Sequence, residues 1–286
     1  MKKILIIAGP TAGGKSAKAI DMARQLNGVI INCDSMQIYD GLPILTAQPS
    51  AEDKTRASHE LYGALHPNDN CSAGIWCKMA RPLIEKILSA GKTPIICGGT
   101  GLYIKALIDG LSPIPEIPDH IRAAAIQKQI DLGNPGFHAK LGKRDPVMAA
   151  RLHPLHTARL VRAWEVLEAT GKSLAEWQAQ DRLAPPEDWH FEIHKIMPER
   201  EELHQRCNTR FLKMLESGAL EEIAEFNSRI ENGQIRPDTP LSKALGYKPL
   251  SAYLKGLISK EEAIEKSQAE TRQYAKRQVT WFRNQL

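Results

Sequence analysis

The sequence lacks three features, and each lack removes a class of protein. The apolar run after Met1-Lys2-Lys3 covers only Ile4 to Ala8 before Gly9-Pro10 ends it. That is too short for a signal-peptide core or a membrane span, so a cytoplasmic chain without membrane association is expected. The five cysteines (Cys33, Cys71, Cys77, Cys97, Cys207) are odd in number and form no Cys-x-x-Cys pair, which argues against a disulfide framework or a zinc site. His153 and His156 have metal-ligand spacing, but no carboxylate or cysteine cluster accompanies them. No internal repeat or low-complexity segment is present. Charge is nearly balanced, with 38 Lys and Arg against 33 Asp and Glu, a net +5 and a pI near 8.9. This leans toward a polyanionic partner without naming one.

The 286 residues, 42% of them apolar, suffice for one large domain or one domain with an insert. Ile4–Ala8 reads as a strand, Lys15–Asn27 as a helix closed by Gly28, and Val29–Ile31 as a second strand. A helix over 74–90 follows, in which Pro82 predicts a kink or break, and then a strand at Pro94–Cys97. Apolar strands alternating with helices imply a parallel sheet covered on both faces. Three prolines between Leu111 and Pro118 read as a stiff, extended hinge. From Asp119, a plausible cap, to Gln180 the pattern is helical, with stops at Gly133 and Gly171 and a well-formed segment over Thr157–Thr170. Phe191, Ile193 and Ile196 suggest a returning strand. Helices are expected over 199–217 and 241–255, and a last one starts at Ser259, where Glu262 completes a capping box. The fold class is therefore α/β, a P-loop NTPase-like parallel sheet flanked by helices with an inserted all-helical subdomain. Residues 1–113 and 189–286 form the core, and 114–188 the insert.

Gly9-Pro10-Thr11-Ala12-Gly13-Gly14-Lys15-Ser16 matches G-x-x-x-x-G-K-[ST] between the first strand and first helix. Small residues there let successive N–H groups curl around a phosphate, Lys15 neutralises it, and the Ser16 hydroxyl can ligate Mg²⁺. The loop binds polyphosphate without saying which. Asp34, at the carboxyl end of the second strand, faces the same crevice. A magnesium ligand, a general base and a helix cap are equally open for it. Gly98-Gly99-Thr100-Gly101 ends a strand at the same edge, and taken alone it reads as a tight turn.

Taken jointly, these segments resemble the tRNA dimethylallyltransferase family along nearly the whole chain. The matching stretches are GPTAGGKS (9–16), DSMQIY (34–39), SAG (72–74), GGTGLYIKAL (98–107), DP (145–146), ARLHP (150–154), RLVRAWEV (159–166), TGK (170–172), GY (246–247) and TRQYAKRQVTWFRN (271–284). Ile44-Leu45-Thr46-Ala47-Gln48-Pro49 departs from the family's usual IGTAKP. The resemblance implies transfer of a dimethylallyl group from dimethylallyl diphosphate to N6 of adenosine 37 in tRNA, with release of diphosphate. It implies catalysis by Asp34, Ser16 and Arg210, a diphosphate or nucleotide cradle at Gly9 through Ser16, and Mg²⁺ on Ser16. Contacts to the anticodon stem-loop are implied at Asp34, Ser35, Met36, Gln37, Thr100, Arg122, Ala158, Arg159, Leu160, Val161 and Arg162. By their spacing alone, Arg159 and Arg162 would read as a solvated basic face. Arg272, Lys276 and Arg283, near one face of the last helix, fit phosphate tracking, but more commonly such residues are solubilising; Trp164 reads as core and the protein as a monomer. Three other readings compete: a P-loop small-molecule or nucleoside kinase, a prenyltransferase acting on free adenine nucleotides, and a non-catalytic RNA-binding protein. The first lacks a recognisable base pocket, the second leaves the insert unexplained, and the third leaves Lys15, Ser16 and Asp34 unexplained.

Overall fold

The computed structural model describes residues 1–286. Two compact units emerge, one comprising 1–108 and 185–286 and the other 109–184. In the first, β1 (Lys2–Ala8), β2 (Gly28–Asn32), β3 (Ser58–Glu60), β4 (Thr93–Gly98) and β5 (Trp189–Lys195) form one sheet in the order β3-β2-β4-β1-β5. Every pairing is parallel. Leu5 and Ile7 of β1 cluster with Ile20 and Ala23 of α1 (Lys15–Gln25). Ile4 and Ile6, on the alternate face, are fully buried as well, which is why these strands read as continuous apolar runs.

The parallel arrangement brings three strand ends to one edge. β2 delivers Asp34, β4 delivers Gly98–Thr100 and β1 delivers the phosphate loop, in the adjacent order β2-β4-β1. Helix α2 (Ala51–Arg56) and the short edge strand β3 were not legible in the pattern, because Ser58-His59-Glu60 offers no apolar alternation and Ser58 and Glu60 are exposed.

Helix α3 (Ala73–Ser89) runs through Pro82 without the expected break. Pro82 is exposed, so its ring lies on the solvent side of the helix, where a proline is best accommodated. Helix α4 (Gly101–Asp109) closes this part of the first unit.

The second unit holds α5 (Asp119–Arg144), α6 (Pro146–Arg151), α7 (Thr157–Thr170) and α8 (Leu174–Gln178). Gly133 interrupts α5 with φ 63°, ψ 170°, and Gly171 ends α7 in the left-handed conformation. Asp119 is not the expected cap: Pro118 takes that position and no side chain caps the helix. Phe137, Leu141, Leu160, Ala163, Trp164 and Val166 make the core of this unit. Ile114 and Ile117 of the proline-rich stretch pack onto it, and Leu111 bridges Leu183. That stiff, extended stretch is therefore packed as part of the unit.

After β5 the first unit continues with α9 (Arg200–Glu216), α10 (Ala219–Glu231), a 3₁₀ turn at Pro240–Lys243, α11 (Tyr247–Leu254) and α12 (Lys260–Gln285). Gly246, at φ 85°, splits what reads as one helix over 241–255. A Cβ there would come within 2.9 Å of the Phe211 ring. Ser259 caps α12 by accepting from the Glu262 N–H, so the hydroxyl half of the expected box forms. No helix is long and apolar enough to cross a membrane.

Candidate active site

The phosphate loop bends through Ala12 at φ 59° and Gly14 at φ 97°. The second of these suits glycine, which meets no Cβ penalty there. Within the loop the Gly13 N–H donates to the Pro10 carbonyl at 3.1 Å and Lys15 Nζ donates to the same carbonyl at 2.7 Å. Ser16 is exposed at the start of α1, where helix N–H groups and the dipole favour an anion. Burial pulls the Lys15 ammonium below the ordinary lysine range, with Cys97 and Asp34 acting in the opposite direction.

Asp34 sits in a tight turn that its own side chain builds. Oδ1 accepts from the Met36 N–H at 2.9 Å and the Gln37 N–H at 3.4 Å. Fully buried Asn32 holds the Asp34 backbone from behind: its Oδ1 accepts from the Asp34 N–H at 2.9 Å and its Nδ2 donates to the Asp34 and Leu61 carbonyls. Asp34 is thus both a turn-forming and a cavity-lining group, and no helix follows it for the carboxylate to cap.

Two cavities meet at this carboxylate. The larger, about 750 Å³, is lined by the phosphate loop, Asp34, Gln37, Thr46, Arg206, Arg210 and Lys213. The smaller, about 290 Å³, is lined by Ser35, Met36, Leu45, Cys207, Phe211, Met214, Leu245, Tyr274 and Arg277. Thr11, Asp34, Thr46 and Arg210 line both. Arg210 lies at the junction and donates from Nη2 to Thr11 Oγ1 at 2.5 Å. Burial lowers its pKa, yet a guanidinium remains charged at any working pH. The Cys97 thiol in the larger cavity is pushed up to about 11 by burial. A neutral thiol is a weak nucleophile, so the chemistry falls to the carboxylate and the cations.

The structure assigns several sequence-derived residues a different immediate task. Gln37 Nε2 donates to the Thr46 and Ala47 carbonyls, both at 2.8 Å, pinning the loop that borders both cavities. Glu222 of α10 grips the same loop through the N–H groups of Ile44 and Leu45. Thr100 Oγ1 accepts from the Ser35 N–H at 2.9 Å, tying the β4 edge to the β2 edge.

In the second unit, Leu160 and Val161 correct the list of nucleic-acid contacts. Both side chains are buried in the helical core, so neither presents a surface. Arg162 Nη1 pairs with buried Glu165 at 2.6 Å, and Arg122 Nε lies 3.9 Å from the same carboxylate. These two arginines are partly committed to Glu165, whereas Ala158 and Arg159 are exposed. Trp164 is core, 3% exposed, with Lys128 and Arg144 over its ring.

Sequence reasoning missed most of the smaller cavity and the supports of the loop. Arg206 donates to the Gly13 carbonyl at 3.3 Å; it precedes Arg210 by one helical turn, a spacing that could have flagged it. GGTG is also more than a turn. A Cβ on Gly99 would lie 2.2 Å from Gln278 Nε2, and one on Gly101 would lie 2.2 Å from the Trp281 ring, so the glycines admit α12 to the sheet edge.

A parallel α/β sheet with a phosphate loop, a carboxylate two strands away at the same sheet edge and two cations from a distal helix defines a P-loop enzyme that transfers a group away from a polyphosphate. Comparisons with known proteins specify which. The family model described as IPP transferase matches residues 37–285. Curated relatives named tRNA dimethylallyltransferase from Rhodospirillum centenum and Paramagnetospirillum magneticum are 47% and 48% identical, covering 100% and 99% of this chain and 90% and 88% of theirs. The full-length tRNA isopentenylpyrophosphate transferase of Bacillus halodurans is 34% identical at a TM-score of 0.69, over 100% of this chain and 88% of that one. A eukaryotic dimethylallyltransferase acting on tRNA is 29% identical at a TM-score of 0.84, over 99% of this chain and 70% of its own. The chain belongs to the IPP transferase family.

Proposed function

We propose that this protein transfers a dimethylallyl group from dimethylallyl diphosphate to N6 of adenosine 37 in the anticodon stem-loop of tRNA, releasing diphosphate, as a cytoplasmic monomer. The observation that carries this reading is the pair of cavities meeting at Asp34, Thr11 and Arg210. One side offers a phosphate cradle, the other a chamber whose apolar wall of Met36, Leu45, Phe211, Met214 and Leu245 suits a prenyl tail and a planar base and which Lys243 and Arg277 also line. A carboxylate stands between them.

The reaction breaks the allylic C–O bond, whose electrons leave on diphosphate, and forms a bond from N6 to the same carbon. Because the adenine amine donates its lone pair into the ring, it needs help losing a proton. Asp34 Oδ1 is held by two backbone N–H groups, while Oδ2 makes no hydrogen bond within the protein and takes that proton. The target base must leave its stack to reach the carboxylate. Lys15, Arg210 and the loop N–H groups stabilise charge as it builds on diphosphate. The donor set fits Mg²⁺, which keeps several waters and substrate oxygens and needs few protein ligands. Exposed Ser16 would hold it, and when bound it would neutralise charge on the leaving group.

The test is direct: purified protein with radiolabelled dimethylallyl diphosphate, Mg²⁺ and bulk tRNA, beside a reaction with ATP. Label in tRNA is expected. Phosphate release from ATP without such label would instead favour a kinase.

Contact with tRNA in the second unit is assigned to Arg159 first. Arg159→Ala should weaken tRNA binding and reduce its salt slope by about one without changing the melting temperature. Arg162→Ala should in addition destabilise the unit by about 1–2 kcal/mol, since it strips buried Glu165 of its nearest cation while Arg162 itself is partly solvated. Filter binding across a salt series and calorimetry of both variants separate these effects, and unchanged tRNA affinity in Arg159→Ala would remove it from the interface.

A further inference from the structure

We infer that Gln278 of α12 is a positioning residue for the phosphate loop, holding Thr11 in register with the β4 edge so that Thr11 and Arg210 stand where the two cavities join. The inference rests on the transfer reading above.

Gln278 is 5% exposed, and both ends of its amide are engaged. Oε1 accepts from the Thr11 N–H at 2.7 Å and Nε2 donates to the Gly99 carbonyl at 2.8 Å. One side chain from the C-terminal helix therefore links two loops that follow adjacent strands. The Thr11 N–H needs an acceptor and the Gly99 carbonyl needs a donor, and Gln278 supplies both from one side chain. Only an amide, or a neutral carboxyl, offers both at this length.

Two consequences bear on the reaction. First, the Thr11 N–H is taken by Gln278 and the Gly13 N–H by Pro10. Neither is available to a phosphate, so the cradle must be made by the remaining N–H groups, and their aim depends on where Thr11 is fixed. Second, Thr11 Oγ1 accepts from Arg210, so a shift of the Thr11 backbone moves the contact that locates this cation. α12 also carries Tyr274 and Arg277 into the smaller cavity. The same helix that shapes that chamber thus sets the loop on the other side of the carboxylate. Ala12 packs with Leu203, Cys207 and Ala275 beside this link, giving the loop an apolar seat, but packing alone does not orient the Thr11 N–H.

Gln278→Met and Gln278→Glu test the assignment. Methionine matches the length and fills the space while removing both hydrogen bonds. Burial favours the neutral form of a glutamic acid side chain, the more so at mildly acidic pH, and that form can accept from Thr11 and donate to Gly99 as glutamine does. Both are compared with wild type at pH 6, well below their melting temperatures. The readouts are amide exchange of the phosphate-loop peptide by mass spectrometry, and single-turnover transfer of labelled dimethylallyl to tRNA with its dependence on diphosphate concentration.

For Gln278→Met, loop exchange is expected to rise and the single-turnover rate to fall by about tenfold or more, the size of effect a misplaced group produces. The concentration of dimethylallyl diphosphate giving half-maximal rate should stay within about threefold, since Lys15 and the helix N-terminus remain. Gln278→Glu should recover most of the rate and protection. A packing role predicts the reverse order, with methionine at least as good as glutamic acid, and that result would overturn the assignment. So would unchanged exchange in Gln278→Met, or raised exchange with a rate within twofold of wild type. Should the methionine variant not fold, Gly99→Ala applies the same test from the other side, because its Cβ would sit 2.2 Å from Gln278 Nε2. It must then show the raised exchange and lowered rate, and wild-type values in it would equally overturn the assignment. The exchange arm needs no substrate, so it decides whether the link holds the loop even if wild-type protein transfers no label, an outcome that would count against the transfer reading alone.

Discussion

Asp34→Asn is expected to fold normally, to bind both substrates within a few-fold of wild type, and to lose prenyl transfer by at least about a hundredfold, the lower end for a positioned base. The geometry makes this substitution unusually informative. The Asp34 side chain builds its own turn through Oδ1, which accepts from the Met36 and Gln37 N–H groups. Asparagine offers the same carbonyl oxygen and is nearly isosteric, so the turn survives. Asn32 holds the Asp34 backbone rather than its side chain, so this support survives too. What is lost is Oδ2 as a proton acceptor. If Oδ2 served instead as a magnesium ligand, raising the metal concentration should recover part of the rate, whereas lost base catalysis should stay lost. Single-turnover transfer at saturating Mg²⁺ separates the two, and a rate within about threefold of wild type would remove Asp34 from proton transfer, being far short of the loss expected for a base.

The parts of this site that were legible in the sequence are those built from consecutive residues. A phosphate loop needs small residues followed by Lys and Ser in one stretch, between a strand and a helix, and Gly9 to Ser16 carry that constraint locally. Asp34 was legible as a strand-end carboxylate, although its dual use in building a turn and lining both cavities emerged only from the structure. Arg210 was reached by resemblance, not by spacing. The smaller cavity was not legible, because it is assembled from Met36 and Leu45 after β2, Phe211 and Met214 on α9, Leu245 before α11, and Tyr274 and Arg277 on α12. Their convergence is a property of tertiary packing, and no local period reports it.

The same reasoning explains the errors in the fold. β3 is three residues long with two of them exposed, and is held by pairing with β2 alone. α10 has a clear apolar stripe at Ala219, Ile223 and Phe226, a helical period that the sequence reading passed over. Pro82 was read as a breaker without knowing which face it occupied, and only burial decides that. Leu160 and Val161 were carried over with their neighbours as a segment, but on a helix adjacent residues point to different faces, so a contact at Arg159 implies nothing for them.

Lys15→Ala is expected to reduce prenyl transfer by about a hundredfold or more, comparable to removing a donor aimed at developing charge, while tRNA binding stays nearly intact. Lys15 lies in the larger cavity with its ammonium donating to the Pro10 carbonyl, and no nucleic-acid contact is assigned to it. Ser16→Ala should also slow transfer, with a raised Mg²⁺ requirement that the Lys15 variant does not share, since of these two side chains only the hydroxyl is a candidate metal ligand. The pH dependence gives an independent check with a definite sign. Burial lowers the pKa of Lys15 in the free protein, so its positive charge is present at low pH and is lost at a lower pH than for an exposed lysine. The rate at low dimethylallyl diphosphate, which reports the free enzyme, should therefore decline on the alkaline side below the ordinary lysine range. At saturating diphosphate the decline should move to higher pH, because a bound polyanion favours the ammonium. The alkaline limb at low substrate should vanish in Lys15→Ala, leaving a low, flat rate there. Steady-state profiles of both variants with labelled substrate decide the matter: wild-type rates in both would remove the phosphate loop from the mechanism, and an alkaline limb that persists in Lys15→Ala would assign it to a different group.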